Sequence, residues 1–110
     1  LPGGGTALAF AAQQDWEMSL NAGGLLGLDI LREALTSPFT KILQNGGLEP
    51  NNYTLDKWGE GIDVTCGCKK IMIDVGIIDP LLVTKSALNN AISVATTILS
   101  TDCVISNVRE

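Results

Sequence analysis

Histidine is absent from the 110 residues, and charged side chains make up only 17% of them, against about a quarter in ordinary globular domains. Cysteine is sparse as well: Cys66, Cys68 and Cys103 are the only three. An odd number of cysteines in a chain without secretory features is a poor basis for a disulfide framework, so none is expected. Cys66-Gly67-Cys68 offers two thiolates to a metal, but structural zinc sites need four ligands with wider gaps within each pair. Small half-buried side chains in a turn and a strand are the expected role. Positive charge is scarce too. Seven Lys and Arg stand against twelve Asp and Glu, for a net charge of −5, and Lys69-Lys70 is their only cluster. This argues against a nucleic-acid surface or an anionic membrane surface, both of which need concentrated positive charge. No apolar run approaches the roughly 18 residues of a membrane span, so a soluble chain is expected. No basic, apolar and cleavable order opens the sequence, so no secretory signal is expected in these residues. Leu1 stands where a methionine would begin a reading frame, which is expected of a processed chain or a piece of a longer one.

What is plentiful is apolar surface. Hydrophobic residues reach 45% and the mean hydropathy is +0.27, the composition of a core that lacks part of its shell. The stretch Val75-Gly76-Ile77-Ile78-Asp79-Pro80 opens the largest apolar element. An acidic residue before a proline predicts a bend with Asp79 as helix cap and Pro80 in the first turn. From Pro80 to about Ser100 no glycine or further proline intervenes. Apolar residues recur at Leu81, Leu88, Ala91, Ile92, Ala95, Ile98 and Leu99, with a second row at Val83, Ala87, Ala91, Val94 and Ile98. Rows this wide predict a helix buried on most sides, and 110 residues hold little material to cover it.

Upstream, Gly3-Gly4-Gly5 precedes a helical run from Ala7 to about Met18. Three glycines let a backbone come close to a ligand, and a following helix aims its free N–H groups the same way, so a phosphate or nucleotide contact is allowed. The triplet matches neither the P-loop nor the dinucleotide fingerprint. A second helix is predicted from Leu25 to Leu35. Ser37-Pro38 predicts a break and a third, short helix from Phe39 to Asn45. A further short helix is expected from Glu49-Pro50 to about Trp58, with Tyr53 and Trp58 as packing residues. Ile62 and Val64 then alternate with Asp63 and Thr65, and Cys66-Gly67-Cys68 supplies a turn, the pattern of a small hairpin. Ile71 to Val75 reads as one more helical turn, and Cys103 to Val108 as a terminal strand in want of a partner.

Taken in order, Pro2-Gly3-Gly4-Gly5-Thr6-Ala7-Leu8, Leu35-Thr36-Ser37-Pro38, Asn45-Gly46-Gly47, Gly76-Ile77-Ile78-Asp79-Pro80, Val83-Thr84-Lys85-Ser86-Ala87-Leu88 and Asp102-Cys103-Val104 strongly resemble the C-terminal part of the group I chaperonins, the GroEL/Hsp60 family. The likeness runs from about Pro2 to Val108. Gly61-Ile62-Asp63-Val64 leans toward the archaeal and eukaryotic group II relatives. The Thr-Lys-Ser-Ala-Leu run and the strand at the end lean back to group I.

The resemblance implies a mainly α fold, part of a chaperonin equatorial domain over residues 1–110: a helical bundle with a small β-hairpin and a C-terminal strand. It implies ATP as the nucleotide. Gly3 and Gly4 would lie against it, Asp79 would accept hydrogen bonds from the ribose, and Ile77 would pack on the adenine. Asp63, Val64 and Thr65 fall where the family commonly has Asn-Ala-Ala, touching the base. Val64 and Thr65 are bulkier than alanine, and the region before Asp63 is a few residues shorter than usual. The family's phosphate loop, its Asp-Gly-Thr-Thr-Thr motif and its hydrolytic aspartate are not among these residues. Magnesium, potassium and hydrolysis are therefore expected of an upstream part of the subunit, and no catalytic residue is assigned here. The implied partners are the rest of the subunit and neighbouring ring subunits, with unfolded clients and a co-chaperonin engaged through other domains. Bacterial cytosol is the first expectation for location, with the mitochondrial matrix and plastid stroma also compatible. The competing readings are a self-associating interaction module without ATPase activity and a thiol-based metal or redox site at Cys66, Cys68 and Cys103.

Overall fold

Gly5 decides where the first helix begins. In the computed structural model, which describes residues 1–15 and 21–109 and the side chains through residue 101, Gly5 has φ +76. A Cβ there would lie 2.7 Å from the Phe39 nitrogen and 2.8 Å from its Cα. Only glycine combines that backbone with that approach. Helix α1 (Thr6–Gln13) follows and buries Ala7, Ala9 and Ala12, small side chains that let a second helix come close. It stops short of the predicted Met18, which lies outside the described residues. Gln14 is already extended, at φ −73 and ψ 151. Two carbonyls of the last turns are taken by side chains: Arg32 Nη1 donates to Ala12 O at 2.7 Å, and Gln14 Nε2 to Phe10 O at 3.2 Å.

Helix α2 (Ala22–Asn45) replaces the two helices predicted on either side of Ser37-Pro38. Asn21 caps it, its Oδ1 accepting from the Gly24 N–H at 2.8 Å. Pro38 sits inside the helix and leaves the Ala34 carbonyl without its usual donor, a cost of about 3 kcal/mol. The helix continues because Leu35, Phe39 and Leu43 on either side of Pro38 form one buried stripe. Burial of three such side chains contributes about 1.5–3 kcal/mol each, which outweighs the penalty.

Beyond α2 the predicted helix to Trp58 shrinks to one 3₁₀ turn, Pro50–Asn52. Extended backbone then carries Leu55 into the core, where it packs with Ala9, Phe39, Leu43 and Ile62. Tyr53 lies at the rim of that core. Trp58 is half exposed, its ring meeting Phe10 edge-on at 5.6 Å. The predicted hairpin is present: β1 (Glu60–Asp63) pairs antiparallel with β2 (Cys68–Ile71), Asp63 opposite Cys68 and Gly61 opposite Lys70. Its turn is Val64 to Gly67, and Gly67 takes φ +70. Contrary to expectation, Cys66 and Cys68 are joined by a disulfide, the turn holding their Cα atoms 5.3 Å apart. Residues 72–76 form consecutive turns, with Asp74 N–H to Ile71 O at 3.1 Å and Gly76 N–H to Ile73 O at 3.3 Å, in place of a full helical turn. The strand-like pair Pro2 and Ile78 closes this first unit, Leu1–Ile78.

From Asp79 onward the chain is a separate unit made of helix α3 (Leu81–Arg109). Pro80, one residue after the predicted cap, supplies the first helical carbonyl, accepting from the Thr84 N–H at 3.2 Å. The predicted terminal strand over residues 103–108 is helical instead. Without a second strand beside it, an extended segment leaves its backbone groups unpaired, whereas continuing the helix satisfies them locally. Within this chain the apolar rows of α3 are uncovered. Leu82 is 75% exposed, and Val83, Val94, Ile98 and Leu99 are all more than half exposed. Among the described residues, no helix is long and apolar enough to cross a membrane.

Candidate functional site

The glycine triplet is built into a backbone joint. Gly3 N–H donates to Ile77 O at 2.9 Å, and Pro2 bridges Ile78. A Cβ on Gly3 would meet the Ile77 carbonyl carbon, oxygen and Cγ2, each at 3.1 Å. Gly3 is therefore buried against Ile77, and these two predicted site residues are in direct contact. Gly4, at φ +68, is half-buried, and its Cβ position lies 3.5 Å from Met72 Cε and 4.0 Å from Thr6 Oγ1. It presents backbone, with no Cβ, at the mouth of α1.

Two residues missed in the sequence support this joint. Met72 is completely buried and Thr6 is 1% exposed. Both pack on Gly61, whose Cβ position lies 2.6 Å from Thr6 Oγ1 and 2.8 Å from Met72 Cγ and Sδ. The Thr6 hydroxyl is buried with no hydrogen-bond partner among the described residues. Met72 gives no periodic signal in sequence, standing between the exposed Ile71 and Ile73. The chain reversal at residues 72–76 is what turns it inward.

Asp63, Val64 and Thr65 come together at the hairpin turn. Asp63 Oδ1 accepts from the Thr65 N–H at 3.0 Å and from Thr65 Oγ1 at 2.6 Å, and Lys70 Nζ lies 3.6 Å from Oδ2. The Thr65 hydroxyl first, then its amide and Lys70, hold the Asp63 carboxyl below the usual aspartate range. Val64 is half-buried at the core rim, its Cβ 3.1 Å from where a Cβ on Gly46 would stand. Thr65 is exposed. Asp79 is exposed at the start of the second unit. Beside the Pro2 and Ile78 bridge lies an apolar hollow of about 380 Å³ bounded by Trp58, Ile71, Ile73 and Ile78. Among the described residues, no group of three His, Cys, Asp or Glu is placed to hold a metal ion.

Chemically, then, the first unit presents a side-chain-free backbone loop leading into a helix, an aliphatic side chain at Ile77 bonded to that loop, and a hydrogen-bonded carboxylate turn.

Comparison with known proteins agrees with the likeness read from the motifs. The model of the TCP-1/cpn60 chaperonin family matches residues 1–109. The protein described as chaperonin GroEL, chloroplastic, from Cyanidium caldarium is 39% identical over an alignment of 119 positions, which covers 97% of this chain and 22% of that protein. The alignment is longer than the chain, so the relative carries insertions that this sequence lacks. The chain thus spans about a fifth of the length of that relative. With the family model matching residues 1–109 and the GroEL motifs in order, this chain is a member of the TCP-1/cpn60 chaperonin family, on its group I side.

Proposed function

We propose that residues 1–110 are the C-terminal part of a chaperonin equatorial domain, and that they supply the adenosine contacts and part of the ring-assembly surface of a chaperonin that folds other proteins at the expense of ATP. Gly3 and Gly4 lie along the nucleotide, Ile77 packs on the adenine, Asp63, Val64 and Thr65 border the base, and Asp79 accepts from the ribose. The observation that carries this reading is the Gly3 to Ile77 hydrogen bond at 2.9 Å. It ties the glycine loop to the aliphatic surface a purine needs. Phosphate binding, magnesium, potassium and hydrolysis fall to the remainder of the subunit. Clients and a co-chaperonin are engaged there as well. For location, the chloroplastic relative favours the plastid stroma as one compartment, beside the bacterial cytosol.

The test is Asp79→Ala in the full-length protein. ATP affinity falls by at least tenfold, the loss of about one charge-assisted hydrogen bond, while the sedimentation of the ring is unchanged. Equal ATP affinity in the variant would refute the assignment.

A second reading is favoured by the exposed apolar rows of α3, Leu81, Leu82, Val83, Val94, Ile98 and Leu99. A patch of that extent on a soluble chain marks an interaction surface. In this reading the 110-residue chain self-associates, and light scattering detects oligomers that dissociate when Val94 and Ile98 are made polar. A monomer at all concentrations would exclude it.

A further inference from the structure

The Cys66 and Cys68 disulfide sits at the end of the hairpin turn that also carries Val64 and Thr65, and the cysteines themselves have no role so far described. Both cysteines are exposed, and Gly67 between them takes φ +70, the backbone that brings their Cα atoms to 5.3 Å. That separation is within the range disulfides span. A bond enclosing a single residue removes little entropy from the unfolded chain, since the stabilisation grows with loop length. It is thus not a staple for the fold as a whole, and its effect is confined to the turn. Exposed disulfides of this kind exchange readily with thiols; the neighbouring Lys69 and Lys70 are engaged by Asp56 at 2.8 Å and Asp63 at 3.6 Å.

The bond also closes a turn with other fastenings. Gly67 N–H donates to Asp63 O at 2.8 Å, Cys66 N–H to the same oxygen at 3.3 Å, and Tyr53 Oη donates to Gly67 O at 3.3 Å. Cys68 stands opposite Asp63 in the ladder. The covalent link therefore lies at the C-terminal end of the turn that these hydrogen bonds shape.

We infer that Cys66 and Cys68 form a reversible two-electron redox site that exchanges with small thiols and locks the Asp63 to Gly67 turn when oxidised. In the oxidising direction a thiolate of the pair attacks a low-molecular-weight disulfide of the glutathione class, releasing one thiolate and leaving a mixed disulfide. The second cysteine, as its thiolate, attacks the protein sulfur of that mixed disulfide and expels the second small thiolate. One sulfur–sulfur bond forms as one breaks, and two electrons pass to the small disulfide. Reduction is the reverse, with two small thiols as donor. The inference concerns the turn assigned above to the base, but it stands on the disulfide alone and needs no nucleotide.

The experiment equilibrates the full-length protein in glutathione buffers of graded reduced-to-oxidised ratio. Acid quench and alkylation follow, and the peptide carrying Cys66 and Cys68 is weighed. Amide hydrogen exchange at Thr65 to Gly67 is read in the fully oxidised and fully reduced forms. The expected result is an intramolecular disulfide that interconverts with the dithiol across the buffer series, and exchange on the order of tenfold faster in the reduced form. In Cys66→Ser, exchange no longer responds to the buffer. A peptide that remains dithiol in oxidised glutathione, or exchange rates equal in both forms, would overturn the inference.

Discussion

The Gly3 amide and the Ile77 carbonyl, 2.9 Å apart, join the two ends of the first unit. Seventy-odd residues of chain leave from one and return to the other, so the glycine loop has a fixed position against Ile77. That joint depends on Gly5 allowing α1 to seat on α2 and on Met72 and Thr6 filling the space behind Gly61.

Gly5→Ala tests the seating of α1. The alanine must hold φ +76 with its Cβ 2.7 Å from backbone nitrogen, which no side-chain adjustment relieves. Strain and displacement together are expected to cost about 3 kcal/mol, read as a lower urea midpoint. Gly27→Ala, in the exposed part of α2 with nothing within 4 Å of its Cβ position, is expected to stabilise the 110-residue chain by about 0.5–1 kcal/mol.

Leu43→Ala addresses the core on which the hairpin rests. Leu43 is among the largest fully buried side chains and packs with Phe39, Leu55 and Ile62. Its truncation is expected to cost about 3 kcal/mol, measured by thermal or urea unfolding.

Thr6→Val probes a buried hydroxyl that has no partner among the described residues. An isosteric methyl removes the desolvation cost, and stability is expected to rise by about 1 kcal/mol. A loss of stability would mean that the hydroxyl is satisfied in solution.

Asp63 sets a pH dependence. Its carboxyl is held below the ordinary range by Thr65 and then Lys70, so the folded state binds this proton less readily than the unfolded chain does. Its contribution to stability is present above the unfolded aspartate value of about 4 and is lost as pH falls through the lower folded value. In Thr65→Val the hydroxyl contact goes and the amide contact stays. The Asp63 titration, followed by carboxyl carbon NMR, is expected to move upward toward the ordinary value without reaching it.

Much of the first unit is legible from local chemistry. The alternation of Ile62 and Val64 with Asp63 and Thr65, followed by a glycine, specifies the hairpin because both strand period and turn backbone are written in adjacent residues. Pro38 misleads for the opposite reason: the penalty is local, while the stripe of Leu35, Phe39 and Leu43 that offsets it acquires value only against α1 and Leu55. The terminal residues mislead similarly. Val104, Ile105 and Val108 have the branched side chains common in strands, yet strand formation needs a partner and helix formation does not. At the candidate site Gly3 and Ile77 are each named by family likeness, but their contact with one another and the burial of Thr6 and Met72 are not legible, because no short-range pattern marks residues that meet across the fold.

The most direct measurement is photolabelling of the full-length protein with 8-azido-ATP, followed by mapping of the modified peptides. The azide sits on the adenine, so the label reports the residues around the base. Labelling of the peptides that contain Asp63 to Thr65 and Ile77, abolished by excess ATP, is the expected result. Labelling confined to other parts of the subunit would contradict the proposal that this segment forms the adenosine site.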